Sequence, residues 1–258
     1  MQEFIIFALV GFGAQIVDGA LGMAYGVVSS TVLLAFGVPP SHASAAVHAA
    51  EVFTTGASAT SHVAHKNVDW KMFWPLALSG VVGGVLGAYV LTSIDGSKIK
   101  PFIVVYLGCM GGIILWRAWK GKANRHVSSR LVAPLGLVGG FADAAGGGGW
   151  GPTVSSTLVG SGAAPRQAVG TVNTAEFLVT VAVSAAFLTA LLTGSWKDAD
   201  GISTHLTAVI GLIAGGVLAA PLAGLVTKRI PVRVFTWLVG GLVVLLALYQ
   251  ALSLFGVL

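Results

Sequence analysis

The chain has 258 residues, of which 55% are hydrophobic and 9% charged, with a net charge of +5. A soluble domain carries about 25% charged residues, so this chain cannot cover itself with a water-facing surface and its main solvent is lipid. The mean hydropathy of +0.89 agrees, and the basic residues sit in short stretches between apolar runs, where they set membrane topology rather than meet nucleic acid.

Apolar runs fall at 4–17, 22–36, 42–62, 72–92, 99–119, 131–144, 148–160, 166–193, 204–226 and 232–257. Several approach the ~20 residues with which a helix crosses a bilayer. The runs 4–17, 22–36, 131–144 and 148–160 are shorter and Gly-rich, which suggests half-helices or re-entrant segments. The first run follows the acidic Glu3 and leads into a Gly-rich stretch that recurs, so no cleavable signal peptide is expected. Cys109, the single cysteine, excludes an internal disulfide; inside an apolar run it reads as a small core residue. Trp70, Trp74, Trp116, Trp119 and Trp196 fall near predicted helix ends and read as interfacial anchors. His62 and His65 lie at a helix end beside Lys66 and read as solvated interface, not as a metal pair.

The chain repeats itself. Shifting residues 11–55 by 125 aligns them without a gap onto 136–180, with 14 identities in 45 positions. They include Asp18/Asp143, Gly22/Gly147, Gly26/Gly151, Ser30/Ser155, Pro40/Pro165 and Glu51/Glu176. The match resumes at Trp70-Lys71 with Trp196-Lys197, and at Gly83-Gly84 with Gly215-Gly216. The division is 1–120 for the first repeat, 121–130 for a basic cytoplasmic linker and 131–258 for the second repeat. Arg117, Lys120, Lys122, Arg125 and Arg130 place the linker region inside. Lys228, Arg229 and Arg233 place 227–233 inside as well, whereas Lys197 against Asp198 and Asp200 suits the outside. Counting spans then puts the loop 63–71 inside and both termini outside, with Lys98 and Lys100 standing against the count. Equivalent loops end on opposite faces. The expected fold is an all-α polytopic membrane protein of two inverted repeats, each a Gly-rich broken or re-entrant hairpin plus three transmembrane helices.

Four of the nine acids lie in apolar segments: Asp18, Glu51, Asp143 and Glu176. A carboxylate in the membrane costs at least about 2.5–3.5 kcal/mol on insertion scales, so two repeat-related pairs demand a reason. Asp18 and Asp143 suit caps of the helices that begin at the Gly-rich breaks. Glu51 and Glu176 lie roughly 15 Å into their helices by rise alone and read as proton-coupling residues, against a purely structural link between the halves. The breaks run Asp18-Gly19-Ala20-Leu21-Gly22-Met23-Ala24-Tyr25-Gly26 and Asp143-Ala144-Ala145-Gly146-Gly147-Gly148-Gly149-Trp150-Gly151-Pro152. Four consecutive glycines hold a helix poorly, and Pro152 suits a new first turn. Freed N–H groups at such breaks attract anions without Arg or Lys; close helix packing is the plainer use of the glycines. His48 and Asn173 lie three residues before the glutamates, Thr55 and Thr180 four after, on the same helix faces. Ser29, Ser30, Thr31, Ser155, Ser156 and Thr157 either line the same cavity or bond the backbone. Arg166, after Pro165, either draws anions to the entrance or serves topology.

The stretch Gly140-Phe141-Ala142-Asp143-Ala144-Ala145-Gly146-Gly147-Gly148-Gly149-Trp150-Gly151-Pro152 resembles the second-repeat signature of the TauE/SafE sulfite exporters, also called toluene-sulfonate uptake permeases. Pro165, Ala168-Val169-Gly170-Thr171, Asn173 and Glu176 fit the same pattern, and the resemblance covers nearly the whole chain. It implies a carrier of the bacterial inner membrane for sulfite, sulfonates or related small sulfur oxyanions. The first copy departs from the second, with Leu21, Met23, Ala24 and Tyr25 for Gly146, Gly148, Gly149 and Trp150, and His48 for Asn173. An asymmetric pocket is therefore expected.

The leading expectation is a proton-coupled anion transporter whose substrate meets Gly22, Met23, Tyr25, Ser30, His48, Gly147, Gly148, Gly149, Trp150, Ser155 and Asn173. The expected partners are a small anionic substrate and the lipid bilayer, with a homodimer left open and no nucleic acid. No cofactor and no metal are expected. The alternative is a cation or metal-ion carrier using the buried carboxylates. An enzyme is disfavoured by the lack of a Gly-x-Ser-x-Gly elbow or a His-Glu-x-x-His pair.

Overall fold

The computed structural model describes residues 2–21, 24–120, 129–155, 157–158, 163, 165–200, 205–227 and 232–255, which are helical apart from turns and links. The helices are α1 (Gln2–Leu21), α2 (Tyr25–Ala35), α3 (Pro40–Ala64), α4 (Trp70–Ser93), α5 (Gly96–Lys120), α6 (Val132–Gly146), α7 (Pro165–Leu192), α8 (Leu206–Thr227) and α9 (Val232–Leu254). A π-helical turn, Gly151–Ser155, follows α6. Among the described residues, five helical stretches are long and apolar enough to cross a membrane: Gln2–Gly19, Trp70–Ser93, Gly96–Lys120, Gln167–Leu192 and Thr236–Leu254. Their outward faces carry large apolar side chains such as Leu9, Tyr89, Phe102 and Leu245, all more than 60% exposed; such a surface is stable only against lipid.

Helix α3 is different. Pro40 starts it at the first helical position, where a missing N–H costs nothing. It then buries Ser41, His42, Ser44, His48, Glu51, Thr54 and Thr55. That face cannot meet lipid, and α3 packs against α2, α7 and α8, leaving Phe53 on its other side exposed. Helix α4 starts at Asp69, whose carboxylate accepts the Lys71 N–H at 3.0 Å and the Met72 N–H at 3.4 Å.

The two halves of the chain are interleaved. The most extensive packings join α1 to α8 and α4 to α6, so the first helix of each half lies on the helix of the other that carries the paired glycines, Gly83-Gly84 or Gly215-Gly216. Glycines permit it: a Cβ on Gly83 would strike the Leu137 carbonyl, and one on the aligned Gly215 would strike the Ala8 carbonyl. Helix α3 packs on its counterpart α7, and α5 on its counterpart α9.

The links are tied at both ends of this interior pair. At the start of α7, the Asp69 N–H donates to Thr171 Oγ1 at 2.8 Å. At the start of α3, the Trp196 indole donates to Ser41 Oγ at 3.1 Å and His42 donates through Nε2 to the Asp198 carbonyl. The Lys197 N–H reaches the Thr92 carbonyl at 3.1 Å, and Asp198 Oδ2 accepts the Gly96 N–H at 2.5 Å.

Three expectations need correction. The run 4–17 is not a half-helix, because α1 continues through Asp18 to Leu21; a polar residue interrupts apolarity without interrupting the backbone ladder. Cys109 is exposed, not core, since an apolar run on α5 faces lipid. Trp196 is buried and bonded to Ser41, whereas Trp70, Trp74, Trp116 and Trp119 are about half exposed or more at helix ends.

Candidate functional site

Each half places an aspartate in the last turn of its first helix, Asp18 in α1 and Asp143 in α6. From there the carboxylate reaches forward over the break. Asp143 Oδ1 accepts the N–H groups of Gly149 at 2.7 Å and Trp150 at 3.0 Å, while its backbone carbonyl accepts the Gly148 N–H at 3.0 Å. Asp18, at the matching place in the first half, is buried and faces the backbone of Tyr25, the residue aligned with Trp150. Helix α6 ends on Gly147 at φ +71, a left-handed closure that glycine adopts at no steric cost. The first break turns at Ala24, φ +103, without that licence.

The two breaks touch. A Cβ on Gly148 would overlap the Gly26 carbonyl carbon and the Val27 nitrogen. A Cβ on Gly26 would lie 2.9 Å from Gly148 Cα and 3.1 Å from Glu51 Oε1. Hydrogen bonds lock the junction: Ser30 Oγ donates to the Gly147 carbonyl, Ser44 Oγ to the Ala144 carbonyl at 2.6 Å, and the Tyr106 hydroxyl to the Gly148 carbonyl at 3.0 Å.

Around the junction lie all four membrane carboxylates, with Asp18, Glu51, Asp143 and Glu176 each no more than 7% exposed. Glu51 Oε2 accepts the Thr180 hydroxyl from the other half at 3.1 Å. His48 Nε2 stands 3.3 Å from Asp143 Oδ2, and His48 Nδ1 lies 2.8 Å from the Ser44 carbonyl. Asn173, aligned with His48, instead donates from Nδ2 to Ser58 Oγ at 3.2 Å, and its buried Oδ1 has no hydrogen-bond partner among the described residues.

The expected substrate contacts divide accordingly. Gly147, Gly148 and Ser30 are brought together with Gly26, Glu51 and His48. Trp150 is fully buried, with its indole donating to the Val172 carbonyl at 3.2 Å. Tyr25 is buried, with its hydroxyl donating to the Leu212 carbonyl at 3.1 Å. Both rings anchor the breaks to neighbouring helices and present no free polar group to a ligand. Gly149 carries a capping N–H, and Ser155 is buried. Gly22, Met23 and Ser156 lie outside the described residues, as do the linker charges Lys122 and Arg125, the loop charges Lys228 and Arg229, and the Arg166 side chain. Thr180 does not serve the glutamate of its own helix; it crosses to Glu51, while Thr55 bonds the Glu51 carbonyl of its own turn at 2.5 Å. Ser44 and Tyr106 are additions. Ser44 is discoverable from its position one turn before His48; nothing in the sequence marks Tyr106.

With this geometry in view, comparison with known proteins is direct. The profile of the family described as sulfite exporter TauE/SafE matches residues 7–250. The chain belongs to the TauE/SafE family. It is also 42% identical over 252 residues to the probable membrane transporter protein YtnM of Bacillus subtilis (strain 168), covering 95% of this chain and 81% of that relative. TauE/SafE proteins are membrane transporters and not enzymes, so this chain is a multi-pass transporter that works between a small substrate and the bilayer.

Proposed function

We propose that the chain is a proton-coupled secondary transporter of a small sulfur oxyanion, sulfite or an organosulfonate, in the bacterial inner membrane. The observation that carries this reading is the meeting of two glycine breaks, Gly26 on Gly148, beside Glu51 and three further buried carboxylates. Helix breaks supply N–H groups to an oxyanion, here once Asp143 releases those of Gly149 and Trp150 that it holds in this structure. Four ionised carboxylates would repel it, so the anion enters only as Glu51 or Glu176 takes up protons. The family description, sulfite exporter, supports the substrate class.

The halves are proposed to be inverted repeats, residues 1–120 and 131–258 about a cytoplasmic linker at 121–130, with both termini periplasmic. Supporting this, the link 65–69 is tied to the start of α7 while its counterpart near 196–198 is tied to the start of α3. Single cysteines at Lys66 and Lys197, in a Cys109→Ala background, are expected to label with an impermeant maleimide from opposite sides of the membrane. Labelling of both from one side defeats the inversion.

The cation reading draws on His48, Glu51 and Asp143, whose donor atoms lie within 4.8 Å of one another. Each already holds a hydrogen-bond partner within the protein, so we assign no metal there. Reconstituted protein is expected to take up radiolabelled sulfite or an alkyl sulfonate faster under an inward proton gradient, and Glu176→Gln is expected to flatten the pH dependence. Uptake of divalent cations with none of any sulfur oxyanion would reverse the choice, and an unchanged Glu176→Gln profile would remove the proton role of that residue.

A further inference from the structure

We propose that His48 and Asp143 form a proton-dependent latch that holds the two halves closed at the glycine breaks. The proposal rests on the transporter reading and adds the group that governs its opening. It follows from hydrogen counting at one contact. The Ser44 carbonyl, 2.8 Å from His48 Nδ1, can only accept, so Nδ1 carries a hydrogen. The Ser44 hydroxyl does not supply one, because it donates to the Ala144 carbonyl. Nε2 then faces Asp143 Oδ2 at 3.3 Å with one hydrogen between them. That hydrogen sits on the imidazole, giving an ion pair, or on the carboxyl, giving a neutral pair. In both cases the pair holds one proton beyond neutral imidazole and carboxylate. Remove it, and two lone pairs face each other in a buried site.

The consequence reaches the breaks because of where Asp143 sits. Its other oxygen caps Gly149 and Trp150, directly after the Gly148 that packs on Gly26. His48 belongs to α3 of the first half and Asp143 to α6 of the second, so the contact joins the halves. The aligned Asn173 is turned to Ser58, so the latch is one-sided. Other titratable groups around the pair are Glu51 on α3, Asp18 on α1, Glu176 on α7, Tyr25 on α2 and Tyr106 on α5. All of these are acids or phenols, and His48 is the basic side chain among them. The ring of Phe187, 6.3 Å away on α7, adds no charge.

The test places a thiol at the junction by Ser30→Cys in a Cys109→Ala background, and measures maleimide labelling in detergent. Labelling is normalised at each pH to the unfolded protein. With His48 and Asp143 intact, labelling is expected to rise about tenfold between roughly pH 5 and roughly pH 9, which bracket the ordinary imidazole range. Asp143→Asn keeps an oxygen for Gly149 and Trp150, and its amide donates to Nε2 without a titrating proton, so labelling is expected to stay low at both pH values. His48→Ala is expected to label readily at both. A flat response in the intact pair, or a retained pH response in Asp143→Asn, overturns the latch. If His48→Ala does not fold, the Asp143→Asn comparison decides alone. Substrate is absent from this assay, so a failed sulfite uptake experiment leaves its outcome distinct.

Discussion

Gly148→Ala is expected to melt far below the unmodified chain, while Gly112→Ala is expected to leave its stability intact. Gly148 has φ +152, a region that L-residues rarely enter, and strain of that kind costs about 1–3 kcal/mol. Its Cβ would also be driven into the backbone of Gly26 and Val27, atoms that cannot swing aside as a side chain can. Overpacking adds about 1–3 kcal/mol, so the total falls near 2–6 kcal/mol against a whole stability of about 5–15 kcal/mol. Gly112, on α5, has open space where its Cβ would go, and alanine there gains about 1 kcal/mol of helix propensity at most. Thermal unfolding in detergent separates the two. A Gly148→Ala protein that melts with the unmodified chain would mean that the breaks do not pack against each other.

What is legible in the amino-acid sequence is set by composition and duplication. The run 72–92 corresponds to Trp70–Ser93, 99–119 to Gly96–Lys120, and 166–193 to Pro165–Leu192, because a transmembrane helix is marked by length and apolarity alone. The duplication singles out the four acids and both breaks, since each has its counterpart 125 residues along the chain. The pairings across the halves are not legible. Thr180 shares a helix face with Glu176, and periodicity assigns it there; only the packing of α3 on α7 hands it to Glu51. His48 and Asp143 are 95 residues apart, and no local signal joins them. Cys109 and Trp196 depart from expectation for a related reason. In lipid the outside of a helix is as apolar as its packed side, so apolarity does not say which way Cys109 points, and a loop tryptophan such as Trp196 is drawn inward by a buried serine.

The duplication also invites a wrong symmetry. Asp18 and Asp143 align and sit alike at helix ends, yet alanine at the two positions should have unequal effects. Asp143→Ala strands the Gly149 and Trp150 N–H groups and leaves His48 without its partner. Breaking a buried pair from one side costs about 3–5 kcal/mol, and each stranded N–H adds to that. Asp18→Ala removes a buried carboxylate that faces the Tyr25 backbone and, with it, one of the crowded acids. Its cost is about 1–3 kcal/mol, reduced by the relief of repulsion. Asp143→Ala is therefore expected to melt well below Asp18→Ala, and Asp143→Asn, which keeps the cap, to melt above both. Equal melting of the two alanine variants would mean that the His48 contact contributes nothing to the closed form, and that the halves are held by the glycine packing alone.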